Sequence, residues 1–215
     1  MRYILASASP RRHELLKRIL PDFEIMPADV DENISEDLPP EVYCVTLAES
    51  KASVILSAAK NIPTRRISVA VGEERPRDNA IFTQVNLPSS EAVTIAADTI
   101  VYKDGKYYGK PKDKKEAAEH LRTLRNASHQ VYTGVAVASN GKIVSGYQKT
   151  AVIFGDFPDN AIDRYIAEQK PYDKAGAYGV QDIEEYCRVE YFGDYENVMG
   201  LPLGLTEELI NKITK

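Results

Sequence analysis

The sequence predicts an α/β protein built around a twisted β-sheet that mixes parallel and antiparallel strands. Apolar strand patterns alternate with helical patterns along most of the 215 residues, which is typical of α/β folds. Asp104-Gly105 predicts a turn and Asn140-Gly141 predicts a hairpin between two long strands, a connection that purely parallel sheets lack. The length suits one domain, residues 1–215, composed of two lobes.

The first elements form a strand, a loop of small residues and a helix. Residues 2–7, "RYILAS", are apolar and predict a short buried strand. Ser9 suits an N-cap and Pro10 the first helical position, so we expect a helix from there through Leu20. Residues 22–29, "DFEIMPAD", predict a second strand before a polar loop.

The middle of the chain contains the clearest strand and the least regular segment. Pro39 and Pro40 precede a long helical pattern that reaches Leu56. From about residue 60 to 91, three prolines and scattered charges predict an excursion, either a loop with a hairpin or a partly disordered segment, without a catalytic role. Residues 92–102, "AVTIAADTIVY", then give the strongest strand pattern.

The second half continues the alternation of strands and helices. A helix is expected from about Asp113, the two hairpin strands cover residues 129–154, and another helix follows Pro158. After these come a glycine-rich loop, a strand "CRVEYF" and a final amphipathic helix over residues 206–213. This order predicts helices flanking the sheet.

The composition excludes several classes of partner. A formal net charge of −5 disfavours polymeric nucleic acid, although a local basic pocket can still hold a small anion. No stretch approaches the ~18 apolar residues of a membrane-spanning helix, so no membrane association is expected. Cys44 and Cys187 lie far apart in the sequence, which favours reduced thiols in a cytoplasmic protein.

A single carboxylate, Asp98, interrupts the apolar strand pattern. Burying a carboxylate is unfavourable unless it meets a cation, a metal or several hydrogen-bond donors. Alternatively, the strand ends at Asp98 and the residue caps a turn. Because the apolar run resumes at Ile100, we favour a functional carboxylate, acting as a metal ligand or general base.

Two arginines occupy the first turn of the first predicted helix. With Ser9 as N-cap, Arg11 and Arg12 fall at N2 and N3, where the helix dipole disfavours positive charge. Free amides, the dipole and two guanidinium groups together make a site for phosphate or carboxylate, to which the Ser7 and Ser9 hydroxyls add donors. Two exposed surface arginines are the alternative, which the strand–loop–helix context disfavours.

Other polar residues give weaker predictions. Lys51, Lys110 and Lys174 are ordinarily solvated lysines, although the last two lie in loops, where binding groups concentrate. Glu32 is a loop residue that could share a divalent cation with Asp98. Gln181 offers an amide donor and acceptor that could read the edge of a nucleobase.

The remaining chemistry is defined by what the sequence lacks. The three histidines, His13, His120 and His129, form no ligand pattern, and no nucleophile motif occurs, so zinc and catalytic-triad chemistry are disfavoured. The residues alone therefore suggest a Mg²⁺-assisted reaction on a phosphorylated substrate without specifying which reaction.

A series of segments resembles the sequence blocks of the Maf family of nucleoside triphosphate pyrophosphatases. They occur in family order and span nearly the whole chain outside residues 60–91: "LASASPRRHELL", "LAESKA", "AADTIV", "GKPKDKKEA", "VYTGVAV", "DKAGAYGVQ" and "YENVMGLPL". The resemblance implies an inosine-triphosphatase-like α/β fold with a cleft between two lobes. It also implies hydrolysis of a nucleoside triphosphate to the monophosphate and pyrophosphate with a divalent metal, Mg or Mn, and, at family level only, a homodimer.

The resemblance also implies roles for individual residues. Asp98 matches the family's proton acceptor, and three positions linked to substrate choice are occupied by Arg11, Thr99 and Gln181. Further polar positions of the family's pocket are occupied by Arg12, Glu32, Lys51 and Lys110. The mechanism that follows binds the phosphates at Ser7, Ser9, the arginines and the lysines, and the metal at Glu32 or Asp98.

Substrate preference is inferred from three blocks. The family branch that prefers dTTP and UTP carries "SPRR", "ADT" and "YG-Q" together, as this chain does. The alternatives are a pyrophosphatase for 7-methyl-GTP or another modified nucleotide, and a nucleotide-binding regulator of septum formation with little turnover. Two departures bear on this choice: the excursion at residues 60–91 is longer than usual, and Asp182 replaces the glycine common after the glutamine.

Overall fold

The computed structural model describes residues 1–30, 37–58, 80–81 and 92–215, with the backbone alone at 80–81. Its strands are β1 Arg2–Leu5, β2 Glu24–Ile25, β3 Ala80–Ile81, β4 Ala92–Lys103, β5 Lys106–Tyr108, β6 Ser128–Ser139, β7 Lys142–Phe154 and β8 Val189–Phe192. Its helices are α1 Pro10–Lys17, α2 Pro40–Ala58, α3 Lys114–Leu124, α4 Asp159–Gln169, α5 Val180–Ile183, α6 Tyr195–Met199 and α7 Leu203–Thr214.

The strands form one mixed sheet, which confirms the predicted fold class. The order is β2-β1-β4-β6-β7-β3, with β5 paired to β4 and β8 paired to β7. β1 is parallel to both β2 and β4, whereas β5 pairs with β4 and β8 with β7 in antiparallel fashion. The sequence order, in which hairpins interrupt strand–helix units, produces this mixture.

Both predicted turns form tight two-residue connections. Asp104 and Gly105 join β4 to β5 with φ values of 49° and 80°, and Asn140 and Gly141 join β6 to β7 with 49° and 78°. Asparagine, aspartate and glycine tolerate this left-handed backbone, and a turn with both central residues there matches the twist of paired strands. The hairpin predicted at Asn140-Gly141 is confirmed.

Several element boundaries differ from the sequence expectation. The strand predicted over residues 22–29 is only Glu24–Ile25, since few of its residues pair with β1. The last helix begins at Leu203, three residues early, because Pro202 ends the preceding extended segment. The predicted glycine-rich loop contains two short 3-10 turns and α5. These elements have three or four residues each, which is too few to show a helical period in the sequence.

The excursion predicted over residues 60–91 lies almost entirely outside the described residues. Within it, β3 pairs with β7 in antiparallel fashion, Ala80 opposite Gly146 and Ile81 opposite Ser145. In the described parts of the chain, no helix combines the length and the apolar character needed to cross a membrane.

The chain divides into two compact units. The first contains residues 1–98, 133–148 and 200–215, and the second contains residues 99–132 and 149–199. The core of the first unit is rich in alanine where α2 packs on the sheet, including Ala48, Ala52, Ala92, Ala96, Ala136 and Ala138. The core of the second unit is aromatic and aliphatic, centred on Phe154, Phe157, Tyr165, Tyr178, Leu121 and Leu124.

Candidate functional site

Asp98 lies inside β4 and is paired with a lysine from α2. Lys51 Nζ donates to Asp98 Oδ1 over 2.5 Å, and the two residues are only 8% and 7% exposed. β4 continues to Lys103, so the alternative that the strand ends at Asp98 is wrong. A buried carboxylate without a cation would be strongly unfavourable, and Lys51 supplies that cation.

The close approach of α2 to the sheet brings Lys51 to Asp98. Gly134 of β6 lies directly under the helix: a Cβ built there would be 2.4 Å from the backbone carbonyl of Cys44. Alanines of α2 and of the sheet strands make up much of the remaining interface. Small residues therefore set the depth of α2 and allow a lysine two helical turns beyond Cys44 to reach the strand.

The turn from β1 into α1 has the predicted capping geometry. Ser9 is the N-cap and its side chain accepts from the backbone N–H of Arg12, which places Arg11 and Arg12 at N2 and N3. The first turn contains no acidic residue to offset their charge. The helix N-terminus therefore carries two guanidinium groups and a dipole of the same sign, an arrangement that favours a bound anion.

Arg12 is also held by contacts within its own unit. Its Nε donates to the Gly200 carbonyl over 2.8 Å, and its Nη1 donates to Ser7 Oγ over 3.3 Å. Ser7 Oγ also accepts from the Ser9 backbone N–H. The Ser7 oxygen thus serves as an acceptor that organises the turn, and its own proton remains the group it can offer to an anion.

The second unit contains the other residues for which the family resemblance predicts a role in substrate binding. Thr99 follows Asp98 on β4 and is half-buried, Lys110 is exposed in the segment before α3, and Gln181 is half-buried in α5. Gln181 Oε1 is buried and has no hydrogen-bond partner among the described residues. A buried amide oxygen without a donor is unusual and suits a ligand that brings one.

Asp182, the departure from the family pattern, contacts Lys174. Their charged atoms are 3.9 Å apart, and Asp173 lies 3.2 Å from the same lysine Nζ. Lys174 and Lys51 are 9% and 8% exposed, so the prediction of ordinarily solvated lysines is wrong for both. Asp182 therefore ties α5 to the preceding loop by charge.

His129 and the two cysteines are uncharged side chains at physiological pH. Burial lowers the pKa of His129 from 6.5 to about 3, with a further contribution from Lys103, so its imidazole is neutral at physiological pH. Burial raises the pKa of the Cys187 thiol to about 12 and that of Cys44 well above its usual range. Both cysteines are free, as predicted, and remain protonated thiols.

The carboxylates determine how a divalent metal could be held. Within residues 1–30, 37–58 and 92–215, no three acidic, histidine or cysteine side chains cluster as a metal site. Glu32 lies outside the described residues. Asp98 offers a carboxylate whose Oδ1 already faces Lys51, and such a donor set fits Mg²⁺ held by one or two carboxylates together with substrate phosphates.

A family model described as "Maf-like protein" matches residues 2–213 of the chain. The dTTP/UTP pyrophosphatase of Clostridium acetobutylicum is 39% identical over 208 residues, covering 94% of this chain and 93% of that protein. The dTTP/UTP pyrophosphatase of Bacillus cytotoxicus is 36% identical, with coverages of 97% and 94%. The dTTP/UTP pyrophosphatase of Thermosipho africanus is 34% identical, with coverages of 98% and 92%.

Among solved structures, the Staphylococcus aureus Ham1 protein matches with a TM-score of 0.38 and 14% identity. The match covers 74% of this chain and 73% of that one.

Proposed function

Because this chain belongs to the Maf family, we propose that it is an enzyme that hydrolyses dTTP and UTP to the monophosphate and pyrophosphate. Relatives named dTTP/UTP pyrophosphatase, 34% to 39% identical over more than nine-tenths of the chain, support this reaction. Within the molecule, the proposal is carried by the buried Asp98–Lys51 pair, a carboxylate kept inside a β-strand by one lysine.

The triphosphate binds through cations and amides of the phosphate turn, by which we mean residues 7–12. Arg11, Arg12 and the N-terminus of α1 attract the phosphates, and the Ser7 and Ser9 hydroxyls donate to them. Lys51 and Lys110 add point charges. Because Arg12 is also bound to Gly200, it enters the complex with little loss of side-chain freedom.

A divalent cation, Mg or Mn, is the cofactor of the proposed reaction, with Asp98 and Glu32 as its protein ligands. When bound, it offsets the charge of the phosphate oxygens and of the leaving pyrophosphate. The ammonium of Lys51 beside Asp98 opposes a cation there, so we expect metal binding to depend on the substrate's phosphates.

Asp98 is the general base of the proposed hydrolysis. It accepts a proton from a water molecule as the water oxygen bonds to the α-phosphorus, and the bond from that phosphorus to the bridging oxygen breaks. Pyrophosphate departs with the electron pair. Attack at the α-phosphorus with loss of this bridging oxygen gives the monophosphate and pyrophosphate, which agrees with the names of the relatives.

Gln181 is the proposed reader of the base. Its Oε1, buried without a partner among the described residues, accepts from the N3–H of uracil or thymine, while its Nε2 donates to a neighbouring carbonyl. Cytosine has an acceptor at N3, so the same amide orientation disfavours CTP. Thr99 helps to shape this part of the site, and Arg11 adds to substrate choice.

We further infer that the enzyme acts on free nucleotides in the cytoplasm, and a homodimer is expected from its membership of the Maf family alone. Two buried free thiols are consistent with a reducing compartment. The net charge of −5 disfavours polymeric nucleic acid as a substrate.

Product analysis tests the reaction. The purified protein is incubated with Mg²⁺ or Mn²⁺ and a panel of UTP, dTTP, CTP, ATP, GTP and 7-methyl-GTP, and the products are separated by ion-exchange chromatography. We expect UMP or dTMP with pyrophosphate, and fastest turnover of dTTP and UTP. Nucleoside diphosphate with inorganic phosphate would contradict attack at the α-phosphorus. Binding without turnover of any nucleotide would contradict the enzymatic function.

A further inference from the structure

The loop before α5, residues 174–179, has an unusual backbone. Gly176 and Ala177 both have positive φ values, 68° and 62°, and alanine rarely adopts this conformation. Gly176 also has no space for a side chain, since a Cβ would lie 2.9 Å from Val101 Cγ2. Its N–H donates to the Gly109 carbonyl over 3.1 Å. Such a backbone persists only where its surroundings hold it.

Tyr165 of α4 provides the first contact that holds the end of this loop. Its hydroxyl oxygen accepts from the Gly179 N–H over 3.1 Å, and the side chain is fully buried. The carbonyl of Gly179 accepts from the N–H groups of Asp182 and Ile183, which begins α5. The N–H of Gly179 is therefore bound to α4, and the carbonyl of Gly179 accepts the first hydrogen bonds of α5.

His129 of β6 provides the second contact. Its Nε2 lies 2.8 Å from the Tyr178 hydroxyl in a buried hydrogen bond, and His129 is 1% exposed. The two rings and Phe154 pack edge to face with centroid distances of 4.8 to 5.5 Å. Tyr178 is therefore fixed both by its ring and by its hydroxyl.

The Tyr165–Gly179 and His129–Tyr178 contacts hold the backbone just before Gln181. It lies two residues after Gly179, and its neighbours Val180 and Ile183 are buried in the core of the same unit. We propose that Tyr165 and His129, which do not touch the substrate, are positioning residues that fix Tyr178 and Gly179 and thereby aim the Gln181 amide at the pyrimidine base. This inference rests on the proposed function, in which Gln181 reads the base.

The expected effect is on substrate binding and base selection. When an anchor is lost, the segment occupies additional positions, and only a fraction of molecules present the amide correctly. The apparent KM rises by the inverse of that fraction, while kcat at saturation changes little. A lost buried hydrogen bond predicts a rise in the KM for UTP of roughly five- to tenfold. The preference for UTP over CTP falls by a similar factor.

Conservative variants test the proposal in the full-length protein. Tyr165→Phe removes one hydroxyl and keeps the ring, and Tyr178→Phe does the same at the second anchor. The matched control is Tyr186→Phe, whose ring packs on Tyr165 and whose hydroxyl bonds to Glu168 away from the loop. Steady-state kinetics with UTP and CTP are measured for each, together with the melting temperature.

The outcomes separate the inference from the proposed function. We expect the two anchor variants, and not the control, to raise the KM for UTP and to lower the UTP-to-CTP ratio of kcat/KM with kcat within about twofold. A lower melting temperature with an unchanged ratio, in either anchor variant, would overturn the positioning role and leave only a structural one. A wild-type protein that hydrolyses neither UTP nor dTTP would instead refute the proposed function.

Discussion

Lys51 and Asp98, 47 residues apart in the sequence, meet in a buried ion pair with an N–O distance of 2.5 Å. The lysine comes from α2 and the carboxylate from the middle of β4. Each charge compensates the other in a place where water does not, so removal of either partner is expected to lower the stability of the folded protein.

Replacement of Lys51 by methionine is expected to destabilise the protein. The variant keeps the length and apolar stem of the side chain but leaves Asp98 buried without a counter-charge, and breaking such a pair costs about 3 to 5 kcal/mol of unfolding free energy. Urea denaturation followed by circular dichroism measures the change. The control is Lys115→Met, an exposed lysine 3.9 Å from Glu119, which we expect to change stability by less than about 0.5 kcal/mol. Equal stability of the Lys51 variant and the wild type would contradict this prediction.

Replacement of Asp98 by asparagine is expected to remove catalysis but not binding. The amide matches the shape of the carboxylate but cannot accept the proton, so kcat should fall by a factor of about 10² to 10⁴ or more. Pyrophosphate release measures turnover, and calorimetry with UTP in Ca²⁺ measures binding. Asp163→Asn, an exposed aspartate paired with Lys114, should retain the wild-type rate. A full rate for Asp98→Asn would exclude Asp98 as the base.

Gly134→Ala is expected to be strongly destabilising. The added Cβ would lie 2.4 Å from the Cys44 backbone, so α2 must move away from the sheet. Overpacking of this kind costs about 1 to 3 kcal/mol or more, and here it also displaces Lys51 from Asp98. The melting temperature and kcat should therefore both fall.

Gly204→Ala is the matched comparison for Gly134→Ala. Gly204 lies in α7 with nothing within 4 Å of the added Cβ, and alanine favours helix by about 0.5 to 1 kcal/mol over glycine. We expect an unchanged or slightly higher melting temperature. A loss as large as that of Gly134→Ala would show that close packing under α2 is not the cause.

The stability of the protein is expected to fall in mild acid because of His129. Burial lowers the pKa of His129 from 6.5 to about 3 in the folded state. Between these two pH values, His129 therefore binds a proton in the unfolded chain but not in the folded chain. The contribution of His129 to the unfolding free energy is fully present above about pH 6.5. It is lost as the pH falls from there towards 3, at up to about 1.4 kcal/mol per pH unit.

Urea midpoints between pH 4.5 and 7.5 measure this dependence. The unfolding free energy of the His129→Phe variant, which keeps a ring in the cluster, should depend less steeply on pH than that of the wild type. The difference should be up to about 1.4 kcal/mol per pH unit, the value for one bound proton. Identical slopes for the His129 variant and the wild type would mean that the buried imidazole does not drive acid sensitivity.

Local elements were predictable because their causes are local. The Ser9 cap, the Asn140-Gly141 hairpin and the long strand β4 each follow from a few adjacent residues whose backbone preferences agree. The short 3-10 turns and α5 were missed because four or fewer residues show no periodicity. The residues that resemble a known family were also read from short contiguous blocks, and the family assignment is confirmed.

The sequence by itself therefore determined the mixed α/β class, the family and the candidate residues Asp98, Arg11, Arg12 and Gln181. Only the tertiary structure decided which residues meet: Lys51 with Asp98, Arg12 with Gly200 at a separation of 188 residues, and Tyr165 with Gly179. Contacts between distant residues depend on how closely whole surfaces pack, here on alanines and Gly134 beneath α2. The spacing of apolar residues in the sequence does not determine the distance between α2 and the sheet, because the same periodicity is compatible with several packing distances.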